Sequence, residues 1–165
     1  MISRLVLPVL MLSPLWARAE EAPTASMLEP VRVLANCMAQ ALPAACPLQF
    51  AARNVVIVDN FSPYLFVGSD AVVRWRTGFR RHLARGGVGK LQFRFGEPKD
   101  FSRDGSRVFF VLPTNWSGTA GSSGFEERGA WSFVLLETSA GWQVLGSAWS
   151  VFESKVLPPP PESHP

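Results

Sequence analysis

Histidine, cysteine and tyrosine are nearly missing from this chain, which has two, two and one of them in 165 residues. His82 and His164 are the only imidazoles, and Cys37 and Cys46 do not form a CxxC pair. No metal-ligand spacing can therefore be read, thiol redox chemistry has no motif, and neither a metal nor a cofactor is expected. No serine stands in a nucleophile elbow. The stretch Gly86–Lys90 imitates the end of a phosphate-binding loop, but Leu91 stands where that loop requires Ser or Thr. Long apolar runs are scarce too: the main one, Leu5 to Trp16, contains Pro8 and Pro14. It falls short of the roughly 20 residues that span a bilayer.

That apolar run follows Arg4 and ends in Ala17-Arg18-Ala19, a small-x-small pattern, so residues 1–19 read as a secretory signal. The expected mature chain begins with a polar lead-in, residues 20–26, and keeps no membrane anchor. Its expected location is outside the cytoplasm, secreted to the periplasm. Arg4 and Arg18 would leave with the signal, so 16 − 2 = 14 basic residues face 13 acidic ones, a net charge of +1. Dispersed charge of that size gives no footprint for nucleic acid. In an oxidising compartment a Cys37–Cys46 disulfide is the default, worth roughly 2–3 kcal/mol for so short a loop. Buried free thiols are the alternative.

Leu28, Val31, Leu34, Ala35, Met38 and Leu42 recur at three- and four-residue spacing, which predicts an amphipathic helix stopped by Pro43. Val55–Val58 and Tyr64–Val67 flank the turn cluster Asp59-Asn60-Phe61-Ser62-Pro63 and predict a short hairpin. Ser69 or Asp70 then caps a second helix with Val72, Trp75, Phe79 and Leu83 on one face and Arg74, Arg81 and Arg85 on another. From Lys90 the period changes to two. Four strands are expected, the first around Leu91–Phe95, then Arg107–Trp116, Phe125–Thr138 and Trp142–Phe152, with a loop over Ser117–Gly124. Residues 155–165, with four consecutive prolines, read as a disordered tail.

Three motifs in this order resemble the nuclear transport factor 2-like superfamily, which includes the SnoaL-like cyclases and ketosteroid isomerase. They are Val55-Val56-Ile57-Val58-Asp59-Asn60, Gly68-Ser69-Asp70-Ala71-Val72, and Gly141-Trp142-Gln143-Val144 through Ala148-Trp149-Ser150. The resemblance implies an α+β domain over residues 27–154. Its curved antiparallel sheet would form a cone, cystatin-like, around the helices and leave an apolar cavity open at one end.

By position Asp59 matches the aspartate that ketosteroid isomerase uses as general base, whereas that family's oxyanion donors have no match here. The other reading of Asp59 is an Asx turn. His82 is a candidate partner for it, or an ordinary residue near a helix end. The aromatic side chains either pack the core or line a ligand site, and Tyr64, Trp75, Phe79, Phe110, Trp116, Trp131 and Trp149 are the candidates. Tyr64, Asn115 or Ser132 would orient the ligand. Three functions follow as expectations: a secreted domain binding a small apolar molecule, a cofactor-independent isomerase, cyclase or dehydratase with Asp59 as base, and a homodimeric interaction module of a secretion or envelope assembly.

Overall fold

A computed structural model of the chain describes residues 22–158. The expected signal and residues 159–165 of the expected tail lie outside them. Helix α1 (Ala25–Ala39) starts on Thr24, whose hydroxyl accepts the Met27 N–H, so the helix takes in the end of the expected lead-in. It stops before Leu42. Ala41 and Leu42 adopt left-handed φ values, and the Leu42 N–H turns back to the Cys37 carbonyl at 2.7 Å, which buries the Leu42 side chain. Cys37 and Cys46 are joined in a disulfide with Cα atoms 5.9 Å apart. The bend after α1 is thereby pinned to its last turns.

Strands β1 (Val56–Val58) and β2 (Leu65–Val67) form the expected hairpin. Helix α2 (Ala71–Gly86) follows and buries Ala71, Trp75, Phe79 and Leu83. Asp70 occupies the N-cap position without bonding a helix N–H. Its carboxylate pairs with Arg74 at 3.0 Å instead. Two arginines of α2 reach the bend after α1: Arg76 donates to the carbonyls of Pro43 and Ala44, and Arg80 to those of Ala41 and Leu42.

The rest is sheet. Strands β3 (Val88–Phe95), β4 (Lys99–Asp104), β5 (Arg107–Ala120), β6 (Ser123–Thr138) and β7 (Gly141–Leu157) complete a seven-stranded sheet of order β2-β1-β7-β6-β5-β3, with β4 also on β5. The β3 and β4 strands share one edge of β5: β3 pairs with its Thr114–Ala120 half and β4 with its Arg107–Val111 half. Pairing is antiparallel except that β1 lies parallel to β7. The fold is α+β, a curved sheet closed over two helices, with α1 against β3 and β7 and α2 against β1, β2 and β3.

Three expectations change. The segment Ser117–Gly124 is not a loop, because β5 and β6 continue to a tight turn at Gly121-Ser122, with Gly121 at φ 60°. A fifth strand of the second half, β4, comes between the first two expected ones. The β7 strand also runs through Leu157, with Lys155 opposite Glu126, so the first three residues of the expected tail are strand.

Inward residues of β5 and β6 follow strict alternation: Val108, Phe110, Leu112, Thr114 and Trp116 on one, Trp131, Phe133 and Leu135 on the other, all buried. β7 keeps pace with β6 only by two bulges, one between Arg128 and Gly129 and one between Val134 and Leu135, where Phe152 and Leu145 have no partner on β6. The narrow end of the cone is solid. There Phe110 packs on Phe133 with centroids 5.8 Å apart, in the same buried core as Val31 and Leu34 of α1.

Candidate functional site

At the wide end the concave side is not filled. A cavity of about 260 Å³ lies between α2, the β1–β2 turn and the far halves of β3, β5, β6 and β7. Its walls are mainly apolar, with Phe61 and Phe79 on one side and Trp116, Trp131 and Trp149 on the other. Trp116 and Trp131 pack at 6.0 Å between centroids and 53° between planes. Gly129 makes room for Trp149: a Cβ there would come 2.6 Å from the Trp149 ring and press on the Ser150 carbonyl. Asn60, His82 and Ser154 are the exposed polar residues of the wall and mark its opening.

Asp59 sits directly after β1 and lines this cavity while being only 8% exposed. Its backbone N–H donates to the Tyr64 carbonyl and closes the hairpin turn. One carboxylate oxygen accepts the Asn60 N–H at 2.8 Å and the other accepts the Trp75 indole N–H at 2.7 Å. The Asx-turn reading, a bond to the backbone two residues on, is therefore replaced by a fixed carboxyl between a main-chain amide and an indole. Burial is the largest influence on it and pushes its pKa up to about 6, against the lowering effect of those two donors. The charge of Glu127 adds to the rise.

Glu127 is the carboxylate of the cavity wall that the sequence reading did not single out. It stands on β6, half-buried, with its own pKa raised by burial. The register places it between Trp116 of β5 and Ser154 of β7, all three on the cavity wall. A signal existed: in Phe125-Glu126-Glu127-Arg128, the period of two that leads to Trp131 puts Glu127 and not Glu126 inside. An acidic residue at an inward position beside aromatics is what a polar site within an apolar cavity requires.

The candidate ligand residues separate into two groups. Phe79, Trp116, Trp131 and Trp149 line the cavity, and His82 stands on its wall. Trp75 instead holds Asp59 from behind, fully buried, and Phe110 belongs to the solid end of the core. Tyr64 is 60% exposed at the hairpin tip, away from the cavity. Asn115 and Ser132 are not part of the wall either. Each is a sequence neighbour of an inward tryptophan, so alternation turns it to the other face.

Trp116 and Trp131 are brought together by the pairing of β5 with β6. Among the described residues no hydrogen bond joins His82 to Asp59, and the imidazole stacks on Phe61 at 5.4 Å. Arg74 is paired with Asp70 and the Val67 carbonyl, and the main-chain bonds of Arg76 and Arg80 hold the fold together. Among the described residues no group of three His, Cys, Asp or Glu side chains is placed to hold a metal ion.

No protein-family model matches the sequence, and comparison with curated proteins finds no match. Solved structures do match in shape. A nuclear transport factor 2-like superfamily protein from Salmonella enterica superposes with a TM-score of 0.61 at 11% identity, over 82% of this chain and 90% of that one. A ketosteroid isomerase-like protein from Erwinia carotovora gives 0.60 at 15% identity, over 78% and 95%. A hexachlorocyclohexane dehydrochlorinase from Novosphingobium barchaimii gives 0.66 at 5% identity, over 81% and 88%. At such identities the likeness is one of fold. That fold is the nuclear transport factor 2-like one, as the resemblance of the sequence motifs implied.

Proposed function

We propose that this domain binds a small, mainly apolar molecule in the cone cavity, with the molecule's polar group turned toward Asp59 and Glu127. The observation that carries this reading is a cavity with aromatic walls whose two inward carboxyls are both raised by burial. A neutral bicyclic hydrocarbon such as indane should quench the fluorescence of Trp116 and Trp131. Filling the cavity with Ala120→Trp should abolish the effect. Absence of any indane-induced change in the wild type, by fluorescence or by chemical shifts of the wall residues, would sink the proposal.

The second reading is cofactor-independent proton transfer with Asp59 as base, as in an isomerase or dehydratase. A carboxyl raised to about 6 and already oriented by Trp75 is suited to take a proton near neutral pH. Glu127 supplies a second carboxyl that the sequence reading lacked. In deuterated water the protein should speed exchange of the α-protons of a small cyclic ketone, and Asp59→Asn should lower that rate by at least about a hundredfold. Equal exchange in the variant rules Asp59 out as the base.

Two further points belong to this proposal. The hairpin exposes Val56 and Val58 of β1 directly opposite Val67 and Leu65 of β2, an apolar patch on the outer face that favours pairing of two copies. A dimer in sedimentation that Val58→Lys dissociates supports it. We also place the domain outside the cytoplasm, on the strength of the Cys37–Cys46 disulfide. No helix among the described residues is long and apolar enough to cross a membrane.

A further inference from the structure

The cavity has an imbalance of charge that its apolar walls do not explain. Asp59 and Glu127 both face it, and among the described residues neither has an ion-pair partner. α1, β3, β5 and β7 send no charged side chain onto the wall, and α2 sends only His82, whose ring is stacked on Phe61. The cations next to Glu127 and Ser154 along their strands, Arg128 and Lys155, both pair with Glu153, and Arg81, Arg85 and Lys90 are exposed and not part of the wall. Trp116, Trp131 and Trp149 share the wall with the carboxyls, Trp116 directly beside Glu127 in the register, and indole rings are the ones that best accommodate a cation beside an apolar body.

We infer that the ligand is an organic cation, a small apolar amine whose ammonium meets Asp59 and Glu127 while its ring or chain packs on Trp116 and Trp131. The inference rests on the cavity reading and adds the chemical class. A neutral apolar molecule leaves the buried Asp59 and the half-buried Glu127 without compensation. An anion adds a third like charge, whereas an ammonium supplies the missing counter-charge and three donors at once. It also opposes the effect of burial on both carboxyls, so binding near pH 6 releases a proton from Asp59.

Three probes of one skeleton test this on the mature chain: 2-aminoindane, 2-indanol and indane. At about pH 7.5 the amine should bind about tenfold or more tightly than the alcohol. In Glu127→Gln, and separately in Asp59→Asn, that preference should fall below about threefold while indane still binds. Calorimetry at about pH 6 in two buffers of different ionisation heat should show proton release with the amine alone. Equal affinity for amine and alcohol, or an amine preference unchanged in both variants, overturns the inference and leaves the cavity reading standing. Failure of all three probes, indane included, overturns both.

Discussion

Asp59 and Trp75 are 16 positions apart in the chain, and their 2.7 Å hydrogen bond fixes the carboxyl that burial perturbs. The carboxyl titrates at about 6 in the folded chain against 3.8 as a free side chain, so the native state holds its proton more tightly. Stability from this group is fully present below about pH 4 and is lost as pH rises through about 6. Asp59→Asn, which cannot ionise, should therefore stabilise the protein by about 1–3 kcal/mol near pH 7.5 and by almost nothing near pH 4. Urea unfolding at the two pH values checks it, and an equal shift at both would refute the linkage. Trp75→Phe removes the indole donor and should raise the Asp59 midpoint further, by roughly one pH unit, in a carboxyl-carbon NMR titration. None of this is legible from sequence. The run Val55–Val58 announces a strand that ends on Asp59, but the residue behind the carboxyl lies on another element.

At the scale of elements, the segment after α1 is held twice. The disulfide fastens Cys46 to the helix end, and Arg76 and Arg80 bind four carbonyls of residues 41–44. Replacing both cysteines by serine should cost about 2–3 kcal/mol, and Arg80→Ala about 1 kcal/mol. Because both devices restrain one bend, the combined variant should depart from the sum in a double-mutant cycle. On the opposite wall, Gly129→Ala should cost about 1–3 kcal/mol and displace Trp149 into the cavity, with weaker indane quenching as the readout. Sequence reading recovers the β1–β2 hairpin from its turn cluster, and α1, α2, β3, β5, β6 and β7 from the apolar period of their inward faces. It misses β4 because that strand is exposed along nearly its whole length, and no apolar period survives there. It takes Ser117–Gly124 for a loop because the segment is made of small and polar residues that are at most partly buried, and strand pairing sustains the structure there.

For the whole molecule, a solid end and a hollow end share one sheet. Phe110 and Phe133 close the first, and Trp116, Glu127 and Ser154 line the second. A ligand held at about a hundred times its dissociation constant should add about 2.7 kcal/mol to the stability, and Ala120→Trp should cancel that gain. Thermal melts with and without indane make the comparison.

The shape itself follows from counting residues. Phe152 and Leu145 are surplus on β7, so β7 carries two more residues than the length of β6 it accompanies. At about 3.3 Å per residue the two strands would differ by roughly 7 Å if both were drawn straight. Adjacent strands of unequal length stay paired only if the longer one bends, and each bulge bends and twists β7 at its place. Deleting both surplus residues should flatten that part of the sheet and bring its tryptophans down toward the helices. The room for a ligand would then disappear without any change to a residue that touches it.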